Sequence, residues 1–133
     1  MDFDQVGAIP YRQREGRVEV LLITTRTRGR WIVPKGNVER ELGPRQSAVL
    51  EAYEEGGVKG PLRGAALGTY RHGDPPGYRV CIYLMEVEAT HQAWPEADER
   101  QRQWQSVLEA KQTVDEDGLR PLLDAAQERI REM

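Results

Sequence analysis

Apolar positions fall into two kinds of run along this chain, and they alternate in order. Near the start, "VGAIPYR" (6–12) and "RVEVLLITT" (17–25) are rich in β-branched residues and separated by a "REG" turn, which predicts two strands. "RWIVP" (30–34) reads as a short third strand that Pro34 stops. Starting at Pro44 or Arg45 and ending at Glu55, "PRQSAVLEAYEE" has no glycine and no internal proline, and predicts a helix. Pro44 suits its first turn, and Gly56-Gly57 offers a left-handed C-terminal cap. Strand character returns in "LRGAALGTYRHG" (62–73) and, after a "DPPG" turn, in "YRVCIYLMEVEA" (78–89). The stretch from His91 to Ser106 is polar, a charged loop or short strand carrying Trp94 and Trp104. "SVLEAKQTV" (106–114) predicts a short helix. A terminal helix follows, with Leu119, Leu122, Leu123, Ala126 and Ile130 along one stripe. Strands, helix, strands, helix, with no repeat or linker, describe one mixed α/β domain over residues 1–133.

Composition narrows the classes of function. A hydrophobic fraction of 38% and a charged fraction of 31% belong to an ordinary folded domain. A net charge of −3 argues against binding long nucleic acid through bulk charge, although the 19 Lys and Arg are enough to line a local anionic pocket. The single Cys81 excludes an internal disulfide and any multi-cysteine metal site, and sits as a small residue in an apolar strand. No signal-peptide pattern and no membrane-length apolar run is present, so the cytoplasm is the default expectation.

The predicted central helix carries the unusual chemistry. Glu51, Glu54 and Glu55 share one face at i, i+3 and i+4. Like charges at that spacing oppose each other, and the last turn of a helix is unfavourable to anions. A bound cation would offset both costs, and oxygen-only ligation suits Mg²⁺ or Mn²⁺. Spacing alone leaves two readings open, a metal site and a solvated acidic face. The preceding loop, "PKGNVERELG" (34–43), supplies Gly36, where backbone can approach a ligand, and Lys35, which could meet a phosphate.

Gly36 together with "EAYEEGGV" (51–58) resembles the Nudix box, G-x5-E-x7-R-E-U-x-E-E-x-G-U with U apolar, in register over 36–58. The flanks "VEVLLITTRTRGRWIVPKG" and "YRVCIYLMEVE", and the pattern W-x5-R-x-R-x-W from Trp94 to Trp104, resemble the diadenosine polyphosphate and diphosphoinositol polyphosphate phosphohydrolase branch. Two box positions depart. Leu42 stands in place of a glutamate and Leu50 in place of an arginine, so loop packing substitutes for an ion pair or the site is weakened.

The resemblance implies a mixed β-sheet sandwiched between α-helices and a divalent-metal-dependent pyrophosphohydrolase. Glu51, Glu54 and Glu55 would be the catalytic residues, and with Gly36 they would hold Mg²⁺ or Mn²⁺. The general base is left open among Glu54, Glu51, Glu96 and Glu99. Arg12, Arg26, Lys35, Arg79, Arg100 and Arg102 would bind a small-molecule polyphosphate, with dinucleoside polyphosphates first and diphosphoinositol polyphosphates or nucleoside triphosphates as alternatives. A non-hydrolysing nucleotide-sensing module is the competing class. His72 reads as a loop residue near where substrate could enter, and monomer and homodimer both stay open.

Overall fold

The computed structural model describes residues 2–133. A long first strand, β1 (Gln5–Arg14), organises the main sheet by pairing with three others. It runs antiparallel to β2 (Arg17–Thr24), antiparallel to β4 (Lys35–Asn37) at its other end, and parallel to β7 (Tyr78–Glu86). Antiparallel pairing to β2 adds β3 (Trp31–Ile32) and β9 (Arg102–Ser106), and β6 (Gly68–His72) pairs with β7 at the far edge. A separate two-stranded sheet joins β5 (Val58–Lys59) to β8 (Ala89–Thr90).

Both faces of the sheet are covered, which is why the central strands are nearly continuous apolar runs. Strand periodicity of two sorts their side chains. Ile9, Val20, Leu22, Val80, Ile82 and Leu84 share one core with helices α2 (Val107–Thr113) and α3 (Leu119–Glu132). Val6, Ala8, Leu21, Cys81, Tyr83 and Met85 turn the other way, where Ala48 and Ala52 of α1 (Gly43–Gly56) reach them. The small residues on α1 let that helix lie close to the sheet. All five residues of the predicted terminal stripe, Leu119, Leu122, Leu123, Ala126 and Ile130, are buried. Ser106 and Glu109 form a reciprocal capping box at the start of α2.

One expectation needs correction. Residues 62–67 were assigned to a strand, but only Gly68–His72 is one. The earlier part follows the β7 edge irregularly, with a lone bridge from Leu62 to Met85 and backbone bonds from Arg63 to Leu84 and from Leu67 to Ile82. Gly64 bends it at a φ of 79°. In the polar stretch before α2, left open between a charged loop and a short strand, a strand does form: β9 pairs with β2, which outweighs its low intrinsic β propensity. No helix among the described residues is long and apolar enough to cross a membrane.

Candidate active site

The site is built where β4 crosses beneath the last turns of α1. Lys35–Asn37 pairs with the start of β1, and this lays Gly36 directly against the Glu51 side chain. A β-carbon at Gly36 would come within 2.3 Å of the Glu51 carboxyl, so only glycine leaves room for it. At the same end of α1, Gly57 turns the chain out of the helix with a φ of 68°. Ser47, fully buried, accepts the Glu39 N–H at 2.8 Å and ties the intervening loop to the helix.

Glu55 is the most enclosed of the three glutamates, at 6% exposure. Its Oε1 accepts the Lys35 backbone N–H at 3.0 Å, and its Oε2 accepts from Arg100 Nη2 at 3.1 Å. Burial nonetheless drives its pKa upward, against the pull of Arg100 and of the Lys35 N–H. Glu51 is half-buried beside it. Burial first, then the Glu55 charge and a hydrogen bond to Glu55, push the Glu51 carboxyl up to about 8. Glu54 makes no side-chain hydrogen bond or ion pair among the described residues, while its backbone carbonyl accepts the Glu96 N–H at 3.0 Å.

The predicted substrate-binding residues separate into distinct groups. Arg100 is turned inward, its side chain 7% exposed, bonded to Glu55, to Glu96 at 2.9 Å and to the Thr24 carbonyl at 2.9 Å. Arg102 donates to the Gly56 carbonyl at 2.9 Å and stacks on Trp94, whose Nε1 donates to the Glu55 carbonyl at 3.1 Å. These donors, far away in sequence, close the C-terminal end of α1, which has no basic residue of its own in its last turn. Arg12 pairs with Glu19 at 2.8 Å and lies over the Trp104 ring. Arg79 is exposed at the start of β7, with Nε donating to Thr69 Oγ1 at 3.3 Å. Arg26 is exposed and pairs loosely with Glu99 at 3.6 Å. Lys35 is held near Gln5 by a 3.1 Å bond, and burial lowers its pKa. Of the six, Arg26, Lys35 and Arg100 line a common cleft with Thr25, Glu55 and His72.

Leu42 and Leu50, the two departures from the box, line one hollow at the mouth of the loop with Glu39, Arg40 and Glu41. An apolar pair there leaves no stranded charge. His72, expected in a loop, instead ends β6 and forms part of the cleft wall. Sequence reasoning gave no place at all to Glu116, which pairs with it. Glu116 lies 44 residues further on, in a connection with no motif to mark it.

Among the described residues no set of three acidic, histidine or cysteine side chains is gathered closely enough to enclose a metal by itself. This still fits Mg²⁺, which takes one or two carboxylates and completes its shell with waters and substrate phosphate. Glu51 and Glu55, with the Gly36 backbone against Glu51, are the residues that would supply those carboxylates.

The raised Glu51 pKa has a stability consequence. Its folded-state value lies above the ordinary carboxylate value of 4.5, so the folded protein binds the proton more tightly than the unfolded chain. This contribution is complete below about pH 4.5 and is lost as pH rises through about 8. In EDTA, urea unfolding should therefore show stability falling by about 1–2 kcal/mol between pH 5 and pH 8, a value discounted for the partial exposure of Glu51. Glu51→Gln should flatten that slope. A slope unchanged in the variant would place the titration elsewhere.

A mixed sheet between helices, with a strand–loop–helix unit that brings a glycine and two carboxylates together, defines a Nudix-type fold. The NUDIX domain family model matches residues 1–126, and the chain belongs to the Nudix hydrolase family. It is 40% identical over 95 residues to human diphosphoinositol polyphosphate phosphohydrolase 3-alpha, covering 69% of this chain and 57% of that protein. It is 32% identical over 127 residues to Nudix hydrolase 21, chloroplastic, of Arabidopsis thaliana, covering 90% of this chain and 64% of that protein. The chain thus spans about three-fifths of the length of these curated relatives. In structure it resembles a C. elegans Ap4A hydrolase binary complex, with a TM-score of 0.82 at 20% identity over 98% of this chain and 99% of that one, a likeness of fold.

Proposed function

We propose that this protein hydrolyses a phosphoanhydride bond in a linear polyphosphate, a dinucleoside polyphosphate first, with Mg²⁺ or Mn²⁺ held by Glu51 and Glu55. The observation that carries this reading is the placing of two carboxyls one helical turn apart, Glu51 against the Gly36 backbone and Glu55 buried. Such a pair is costly in a helix and becomes favourable when a divalent cation offsets its charge. When bound, that ion neutralises phosphate charge and lowers the pKa of water.

The chain's own groups supply the remaining steps. Lys35 of β4 and Arg26 of the β2–β3 connection both line the cleft and counter the charge of the phosphates. Arg100 keeps one Glu55 oxygen oriented through its fixed bond to Thr24 and Glu96. Glu54, exposed enough to meet solvent and with no side-chain partner among the described residues, is the proposed acceptor of the proton from the attacking water. Water adds to phosphorus, the bridging oxygen leaves with the other phosphate, and two shorter phosphate esters result.

A linear chain is favoured over a densely phosphorylated ring because several cations are already engaged. Arg100 and Arg102 are bound into the α1 terminus, Arg12 is paired with Glu19, and Arg79 is not among the residues of the cleft. Arg26 and Lys35 remain in the cleft, too few for an all-round basic cup.

A second reading, nucleotide binding without turnover, draws on one observation. Both Glu55 oxygens are already bonded within the protein, so Arg100 partly fills the electrostatic role of a cation. The two readings part in a single assay with Mg²⁺ or Mn²⁺ and a panel of dinucleoside polyphosphates, nucleoside triphosphates, nucleotide sugars and diphosphoinositol phosphates, resolved by ion exchange. Metal-dependent cleavage greatest for dinucleoside polyphosphates is the expected result. Binding with no cleavage of any member would overturn the hydrolase reading in favour of the second.

A further inference from the structure

His72 stands at the wall between two adjoining hollows. One, of about 220 Å³, it shares with Lys35, Glu55 and Arg100. The other, of about 210 Å³, it shares with Arg28, Arg30 and Glu116. Thr25, Thr27 and Ile32 border both, so the two hollows are successive parts of one groove between the β2–β3 connection and the end of β6. The first part ends at the proposed reaction centre, and the second leads outward past two exposed arginines.

The imidazole is held in a defined orientation. Its Nδ1 lies 2.7 Å from Glu116 Oε1, and the other Glu116 oxygen accepts the Gly73 N–H at 2.8 Å. Burial opposes ionisation of Glu116, but the bonds from His72 and Gly73, with the charges of His72 and Lys35, hold its pKa below the ordinary carboxylate range. Glu116 is therefore an acceptor on both oxygens, which places the ring proton on Nδ1. Nε2 has no hydrogen-bond partner among the described residues. A carboxylate that fixes one ring nitrogen and leaves the other free prepares that nitrogen for a ligand. With the ring protonated, Nε2 donates to an anionic oxygen.

We infer that His72, fixed by Glu116, binds a phosphate of the substrate beyond the one at Glu51 and Glu55, with Arg28 and Arg30 meeting the chain further out. The inference rests on the polyphosphate reading above and narrows it: the groove takes a linear chain of at least three phosphates and binds a shorter one less well. His72 is a binding residue here, and Glu116 acts through it as a positioning residue.

The test uses binding, so that it stands apart from turnover. The chain has two histidines, His72 and His91, and long-range ¹H–¹⁵N spectra of the full protein therefore contain two imidazoles, assigned by comparison with His72→Gln. Inorganic tripolyphosphate with Mg²⁺ should shift the His72 signals and leave those of His91 in place. His72→Gln should weaken tripolyphosphate binding roughly tenfold, the loss of one hydrogen bond to a charged group, while pyrophosphate binding changes little. Arg28→Gln, on an exposed loop, should weaken tripolyphosphate in the same selective way without touching the fold. Unmoved His72 signals, or equal effects on tripolyphosphate and pyrophosphate, would overturn the inference and leave the His72–Glu116 pair as a tether between β6 and the connection before α3. Absence of hydrolysis in the substrate panel would instead overturn the proposed reaction, whatever His72 does.

Discussion

Glu55→Gln is expected to lower hydrolysis of the preferred polyphosphate on the order of 10²–10³-fold, the size of losing one preorganised electrostatic contact in a transition state. The amide keeps the volume of the side chain in a position only 6% exposed, so packing is preserved. It gives up the negative charge that would hold a divalent cation, and one of its two terminal atoms can no longer accept from Lys35 or Arg100. Arg100 still has Glu96 and the Thr24 carbonyl, so the guanidinium is not stranded. The loss should therefore fall on kcat and on the Mg²⁺ concentration needed for half-maximal rate, with a thermal midpoint close to that of the unaltered protein. A variant that retains full metal-dependent activity would remove Glu55 from the proposed site.

Arg100→Met should have the largest effect on stability, about 3–5 kcal/mol, because it removes the cation from a buried network and leaves two carboxylates facing each other. Glu55 is 8% exposed in its side chain and Glu96 20%, so solvent cannot replace the lost partner of the first and only partly that of the second. The Thr24 carbonyl loses a donor as well. Urea denaturation should show the deficit in EDTA, and added Mg²⁺ or Mn²⁺ should restore part of it, since an ion that binds only the folded state stabilises that state. An arginine acting solely as a substrate clamp would behave differently: the variant would unfold at the same urea concentration and lose only substrate affinity.

These two predictions involve residues of unequal visibility in the sequence. Glu55 announces itself through neighbours at helical spacing, a following glycine and a register with Gly36, all inside 23 positions of the box motif. Arg100 is one basic residue in a polar stretch with several, and as a member of a phosphate clamp its inward turn could not be anticipated. The same holds for Arg102. The absence of a cation in the last turn of α1 is apparent from sequence, but nothing local indicates that a residue 46 positions away from Gly56 supplies one.

What the sequence determined by itself is whatever depends on short-range periodicity. That includes the helix capped at Gly57, the terminal apolar stripe, the apolar central strands and the placing of three glutamates on one helix with a glycine-bearing loop before it. Only the tertiary structure decided how those charges are partnered. Glu55 meets Arg100 across 45 residues, Trp94 reaches the Glu55 carbonyl across 39, and His72 meets Glu116 across 44. Each contact depends on sheet order, on β9 pairing with β2 and β6 lying at the far edge, and strand order is fixed by burial of the whole apolar set rather than by any local signal. Charge partners are few, individually weak and set by that packing, so they become legible only once the chain has folded around them.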